Sequence, residues 1–349
     1  MDESLLRSTG LGELDRKLVT FWTLGTHTLP YVDTFPMLVL LGKMGTGKSQ
    51  ALSIIGNFAY HPVTFSLRGM TAPAIRDEFA GCHEGTAIVE EADSAWNDKD
   101  AAFERMLSDR YQRASARASH KVPALDSGWW ESVSKPYFGA TALHRRIPFV
   151  DAALDGRAVP VRFRPDHNRQ YEEFADRASW NAEGRELISA LTFEPPRIEQ
   201  PENVAARVFN SFRVLLSAAQ FCGDLGFAGQ VLPLLLGQTA ELKEAQSSEP
   251  DGLVLRAIVE AVFFSSVPRF SHIKYSDISK SIWDNQRFPL QPRQIGVIAR
   301  ELGFNTKVSH GRSVVIPTPA ALLQAADECG CTDEAIEELR LTTKKQGTV

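Results

Sequence analysis

The sequence predicts an α/β fold organised on a parallel sheet. Three observations predict it. Continuous apolar runs of strand length recur through the first half of the chain, as strands buried on both faces require. Segments of helical period lie between them. Glycine-rich or acidic clusters follow two of the runs, at Gly42 and at Glu90. Strands alternating with helices build right-handed βαβ units.

Along the chain, residues 1–36 read as a helical lead-in, with Leu14, Leu18, Phe21 and Trp22 at helical spacing until Phe35-Pro36 ends it. Core strands are predicted at Met37–Leu41, Val63–Leu67, Thr86–Val89, Tyr137–Thr141 and Ala158–Phe163. Helices are predicted at Ala51–Tyr60, at Thr71–Phe79 with Thr71 as N-cap, and at Ala101–Ala118. Phe193–Arg197 is proline-rich and reads as a linker; two helices follow at Val204–Leu225 and Gln230–Glu244. After the polar break at 246–252 come helices at Val254–Phe264, Tyr275–Asp284 and Pro292–Leu302, then two β-like runs around His310-Gly311. The expected domains are a lead-in (1–36), a core (37–192), a helical lid (193–250), a winged-helix-like domain (251–325) and a C-terminal helix and tail (326–349).

Composition excludes several classes. Hydrophobic residues make up 43% and charged residues 23% of 349 residues, so the chain buries a core without disulfide or metal staples. Four cysteines are too few for a disulfide framework, and the Cys329-Gly330-Cys331 pair has no second pair or neighbouring histidine to complete a metal site. No apolar run reaches the roughly 18 residues of a membrane span, and the start MDESLLRST lacks the basic and apolar regions of a signal peptide, so a cytoplasmic location is expected. With 38 basic and 43 acidic residues the net charge is −5, so nucleic-acid binding has to come from local basic patches.

The most specific segment is Gly42-Lys43-Met44-Gly45-Thr46-Gly47-Lys48-Ser49, a full match to G-x-x-x-x-G-K-[ST] placed between a strand and a helix. Glycines let backbone N–H groups wrap a polyphosphate at a helix N-terminus. Lys48 is positioned for the β- and γ-phosphates and the Ser49 hydroxyl for Mg²⁺. Glu90 and Glu91, at the end of the next buried strand, are read as the Mg²⁺-holding acid and the acid that polarises the attacking water. Glu90 stands where an aspartate is usual, one methylene longer. Thr141 is a candidate for orienting water, and Arg157 for reaching a neighbouring subunit's nucleotide, with Arg145 and Arg146 as alternates.

Two basic regions are candidate nucleic-acid contacts. A predicted helix over Arg105–Lys121 carries Arg105, Arg110, Arg113, Arg117 and Lys121 against Asp109. The segment Arg269–Ile316 carries eight cations and three acids. Three short helices followed by a hairpin with His310-Gly311 at its tip are the layout of a winged helix, whose third helix would enter a major groove and whose wing would touch backbone or minor groove, a layout that also serves as a protein-interaction module.

From Phe21-Trp22-Thr23-Leu24-Gly25-Thr26-His27 through Thr34-Phe35-Pro36, the glycine loop and Glu90-Glu91-Ala92-Asp93, the sequence resembles the AAA+-like P-loop ATPases of phage, plasmid and mobile-element replication or helicase-like proteins. The resemblance implies ATP and Mg²⁺ as ligands, Lys48 and Ser49 as Walker A, Glu90 and Glu91 as Walker B, Thr141 as sensor 1, Arg157 as arginine finger, and Arg207 or Arg213 as sensor 2. It implies a homo-oligomeric, DNA-acting motor: a helicase, translocase or loader. A slowly hydrolysing ATP-dependent switch that assembles on DNA is the second reading, supported by Glu90. A small-molecule kinase fits the helical C-terminal part poorly.

Overall fold

The computed structural model describes residues 1–92, 98–123, 129–149, 151–165, 191–264, 270–309, 312–331 and 333–346. The chain forms two compact units, Met1–Leu236 and Gly237–Val349.

Unit one is built on a five-stranded parallel sheet. Its strands are β1 (Met37–Leu41), β2 (Pro62–Ser66), β3 (Thr86–Glu90), β6 (Ala140–Arg145) and β7 (Ala158–Arg162), in the spatial order β2-β3-β6-β1-β7. β1 is buried along its whole length, as its apolar run requires. Helix α3 (Lys48–Phe58) follows β1, and α4 (Ala72–Gly81) follows β2; the Thr71 hydroxyl accepts from the Ala74 N–H and caps α4. Helices α1 (Asp2–Thr9) and α2 (Glu13–Gly25) precede the sheet. Trp22 of α2 is fully buried and donates its indole N–H to Pro36 O at 3.0 Å, tying the lead-in to the start of β1. The buried His27 has one ring nitrogen 2.7 Å from Leu191 O and the other 3.0 Å from Phe58 O, at the end of α3.

The region between β3 and β6 departs from expectation. The predicted helix over Arg105–Lys121 ends at Arg110: α5 spans Asp98–Arg110, and β4 (Arg117–Pro123) pairs antiparallel with β5 (Trp130–Pro136). Backbone pairing overrides helical propensity there, since Arg113 N donates to Asp33 O at 2.8 Å and Gln112 bridges Thr34. The predicted strand Tyr137–Thr141 is also displaced. Tyr137 and Phe138 are buried as core residues outside the sheet, and the strand begins at Ala140. Gly139 lies between them, where an added Cβ would stand 2.4 Å from Gly85 O and 2.5 Å from an Arg110 guanidinium nitrogen.

Downstream, α6 (Ala152–Asp155) leads into β7, and α7 (Ala206–Phe221) joins unit one. Ser211 of α7 donates to Gly156 O at 3.1 Å, and the ring of Phe21 meets that of Phe227 edge-on at 4.7 Å. Helix α8 (Phe227–Ser247) carries the division between the units.

Unit two contains α9 (Pro250–Phe263), β8 (Ile273–Lys274), α10 (Tyr275–Gln286), α11 (Pro292–Glu301), β9 (Asn305–Ser309), β10 (Arg312–Ile316), α12 (Pro319–Glu328) and α13 (Glu334–Gln346). The three strands form an antiparallel sheet in the order β8-β10-β9. Its core includes Val254, Ile258, Ile278, Ile295, Val315 and Leu322. Pro292 occupies the first turn of α11. Asp93, Arg269 and the His310-Gly311 pair lie outside the described residues.

Candidate functional site

The loop after β1 has the backbone its glycines predict. Gly45 (φ 78°) and Gly47 (φ 94°) both take left-handed conformations that side chains disfavour, and Gly47 is the N-cap of α3 without a side-chain cap of its own. A Cβ at Gly42 would stand 2.7 Å from Phe163 O, so the loop leaves β1 in close contact with the end of β7. Lys43, Met44, Gly45 and Ser49 are exposed, while Thr46 is buried and ties Lys43 O with its hydroxyl at 2.8 Å. Lys48 is buried, and its ammonium donates to Gly42 O and Lys43 O, each at 2.6 Å. The cation is thus held across the inside of the loop. The α3 amides and the Lys48 ammonium form a donor set suited to a triphosphate.

The strand registers place further groups at the same edge. Leu41 is level with Arg145 and Leu40 with His144, while Val89 of β3 is level with Leu143. Glu90 therefore ends β3 beside His144, separated from β1 by β6 alone, about 10 Å at two strand spacings. Glu91 leaves the strand with φ 53°, a conformation uncommon outside glycine, and its N–H donates to His144 Nε2 at 3.2 Å. That bond makes Nε2 an acceptor and puts the proton of the neutral ring on Nδ1. The Glu91 carboxylate leans toward the outer strand, 3.5 Å from the Ser66 hydroxyl and 3.9 Å from the Arg68 guanidinium.

Thr141 is not at this edge. It pairs with Met37, the first residue of β1, and lies a strand's length from Gly42. It is buried and accepts from Arg110 Nε at 3.1 Å. The sensor expectation at Thr141 is therefore corrected: the polar residue that β6 delivers beside the loop is His144, three positions later. The signal was present in Ala140-Thr141-Ala142-Leu143-His144, but placing the strand three residues early hid it.

Arg157 also emerges at the far edge, where its carbonyl accepts from Met37 N. Its guanidinium is bound to Ser108 and lies 5.4 Å from the Tyr111 ring centroid. Arg145 pairs with Glu104 at 3.2 Å and covers the Phe149 ring. Helix α7, carrying Arg207 and Arg213, is anchored through Ser211 beside Gly156, at the edge from which Arg157 emerges.

The arginines assigned to one basic helix separate. Arg110 is 1% exposed and Arg113 is ion-paired with Glu84 and lies 3.8 Å from Asp33, so neither presents its charge to a ligand. Arg117 and Lys121 are exposed on β4, and Trp129 and Trp130, just before and at the start of β5, are 76% and 65% exposed.

The cysteines are free thiols, and burial pushes Cys329 up to about 11. Among the described residues no group of three His, Cys, Asp or Glu side chains is placed to hold a metal by itself, and no helix is long and apolar enough to cross a membrane. Ser49 and Glu90, one hydroxyl and one carboxylate, suit Mg²⁺, which completes its shell with water and phosphate oxygens.

No family model and no curated protein matches the chain. Among solved structures it is similar to the SCCmec type IV Cch active helicase at 10% identity and TM-score 0.46, over 92% of this chain and 70% of that one. It is also similar to two A-form apo structures of the NrS-1 C-terminal region, each at 10% identity. Their TM-scores are 0.40, over 90% of this chain and 74% of that one, and 0.37, over 88% and 76%.

Proposed function

We propose that unit one binds ATP with Mg²⁺ and hydrolyses its β–γ bond to drive work on nucleic acid, as a helicase, translocase or loader. The observation that carries this reading is the meeting of the Gly42–Ser49 loop, Glu90-Glu91 and His144 at one edge of a parallel sheet. In this reading the loop amides and Lys48 hold the β- and γ-phosphates. Ser49 and Glu90 hold Mg²⁺, which supplies charge neutralisation on the phosphate oxygens. Glu91 accepts the proton of the attacking water, and His144 holds the Glu91 backbone in its left-handed turn. Arg157 serves only a neighbouring subunit's nucleotide, because it lies at the far edge of its own sheet; a homo-oligomer is part of the proposal.

Glu91→Gln is expected to leave ATP affinity intact in calorimetry while phosphate release falls by about 10²- to 10⁴-fold, the range of a general base. Undiminished turnover would move the base to another residue. The resting position of the Glu91 carboxylate, beside Ser66 and Arg68, favours the slow switch as the second reading. ATP-dependent assembly on DNA with turnover that DNA does not raise would select it.

The β4–β5 hairpin takes over the nucleic-acid role first read into a helix. Two adjacent exposed tryptophans stand near Lys121, on a hairpin that carries Arg117 at its base, and provide stacking surface and charge for unpaired bases. Trp129→Ala and Trp130→Ala are each expected to weaken binding of a labelled single-stranded oligonucleotide by about 1–3 kcal/mol in fluorescence anisotropy. Unchanged affinity in both would take the hairpin out of the binding path. In unit two, the order helix, strand, helix, helix, strand, strand supports a winged-helix-like reading, with the wing between β9 and β10.

A further inference from the structure

Unit two holds an open cleft of about 740 Å³ where the start of α10 and one side of α11 face β9. Lys274, Arg293, Arg300 and Lys307 line it together with hydroxyls such as Ser276 and Ser313, and among the described residues no carboxylate lines it. Among the described residues none of these four cations forms an ion pair, although the whole chain carries net charge −5. Like charges gathered without acids repel one another, so their concentration in one concavity is a cost that a polyanion relieves.

The placement of these groups is built rather than scattered. Lys274 and Lys307 flank Val314 in register from the two neighbouring strands, which sets their backbones about 10 Å apart. Tyr275 lies against α11 because residue 296 is glycine: a Cβ there would stand 2.5 Å from the Tyr275 ring. Arg300 is steadied by its own helix, with Nε donating to Gly296 O at 2.8 Å.

We propose that this cleft is a separate nucleic-acid site that grips the sugar–phosphate backbone and does not read base sequence. The inference rests on the nucleic-acid part of the function proposed above, and refines it. A helix that reads a major groove presents free polar side chains to base edges. On α11 the amide best suited to that task, Gln294, is committed to the helix's own cap: its Oε1 accepts from Gln291 N at 2.9 Å, completing a capping box. The other exposed positions of α11 are Pro292, Arg293, Val297, Arg300 and Glu301, of which Pro292 and both arginines line the cleft. Where these cations meet phosphates, they give affinity that depends on salt and not on sequence.

The test uses the full chain without ATP and labelled duplexes of two unrelated sequences, each as DNA and as RNA, because the two share the backbone chemistry. Arg293→Ala/Lys307→Ala removes two exposed cations that anchor nothing in the fold. The wild type is expected to bind both sequences alike. The double variant is expected to lose about 1.8 from the slope of log K against log salt, at about 0.9 per phosphate contact, and at least about tenfold in affinity at 0.1 M salt. The charge-preserving Arg293→Lys/Lys307→Arg variant is expected to keep the wild-type slope. An unchanged slope in the alanine variant overturns the proposal, as does a strong preference for one sequence that Gln294→Ala abolishes. If the wild type binds no duplex at all, the cleft proposal falls. The ATPase reading is judged separately, by phosphate release from the wild type, and a failure there leaves the cleft result standing.

Discussion

Lys48→Ala is expected to abolish ATP hydrolysis, with phosphate release falling by at least about 10²- to 10³-fold, the loss seen when one preorganised donor is removed from a developing charge. The geometry sets this magnitude. Lys48 is 7% exposed, and its ammonium is held by two loop carbonyls at 2.6 Å, so the cation is positioned before any phosphate arrives. Alanine removes the charge while the glycine conformations at Gly45 and Gly47 persist, because those depend on backbone and not on the lysine. Nucleotide binding should therefore weaken and turnover collapse in a protein that remains folded. Calorimetric titration with ATP and Mg²⁺ together with circular dichroism checks both halves. Wild-type turnover in this variant would remove the loop from the chemistry and overturn the proposed function.

This edge of the sheet was legible in the sequence where the signal was local. The β1 run, the glycine loop and the end of β3 lie in contiguous stretches; both strands form where the sequence predicts them, and Gly45 and Gly47 take left-handed backbone. What failed was set by distant contacts. Tyr137 and Phe138 look like strand residues because they are apolar, yet they are buried beneath the base of a hairpin, with Tyr137 N donating to Ala116 O. Both strands of the hairpin are largely polar in sequence, so no apolar periodicity announces Arg117–Pro123 or Trp130–Pro136 as strands. Arginines at helical spacing suggested one solvated face, but spacing alone does not distinguish Arg110, wholly enclosed, from Arg117, exposed on a strand. The error at Thr141 followed from the same displacement, since moving a parallel strand by three residues exchanges its two ends.

Arg110→Met is expected to destabilise unit one by about 3–5 kcal/mol, the scale of two or more buried carbonyls left without donors at about 1–3 kcal/mol each. The guanidinium is enclosed among six acceptors. Nε donates to Thr141 Oγ1 at 3.1 Å; one terminal nitrogen donates to Phe79 O and Tyr137 O; the other donates to Cys82 O, Gly85 O and Ala140 O at 3.0, 3.1 and 3.2 Å. Its face also lies 5.1 Å from the Phe79 ring centroid. Burial pushes the guanidinium pKa down, because keeping that charge out of water is costly. The carbonyls offset the cost, and they come from the end of α4, the entry to β3, the base of the hairpin and the start of β6, so one side chain fastens four elements. Methionine fills much of the volume and relieves the desolvation, but it leaves several buried carbonyls without donors, at about 1–3 kcal/mol each where no water replaces them. Lysine keeps the charge without the planar fork that spans both sets of carbonyls, so Arg110→Lys should recover only part of the loss. Urea unfolding of the wild type and both variants checks the order Arg, Lys, Met. A methionine variant as stable as the wild type would show that the carbonyls find other donors and that Arg110 is dispensable to the fold.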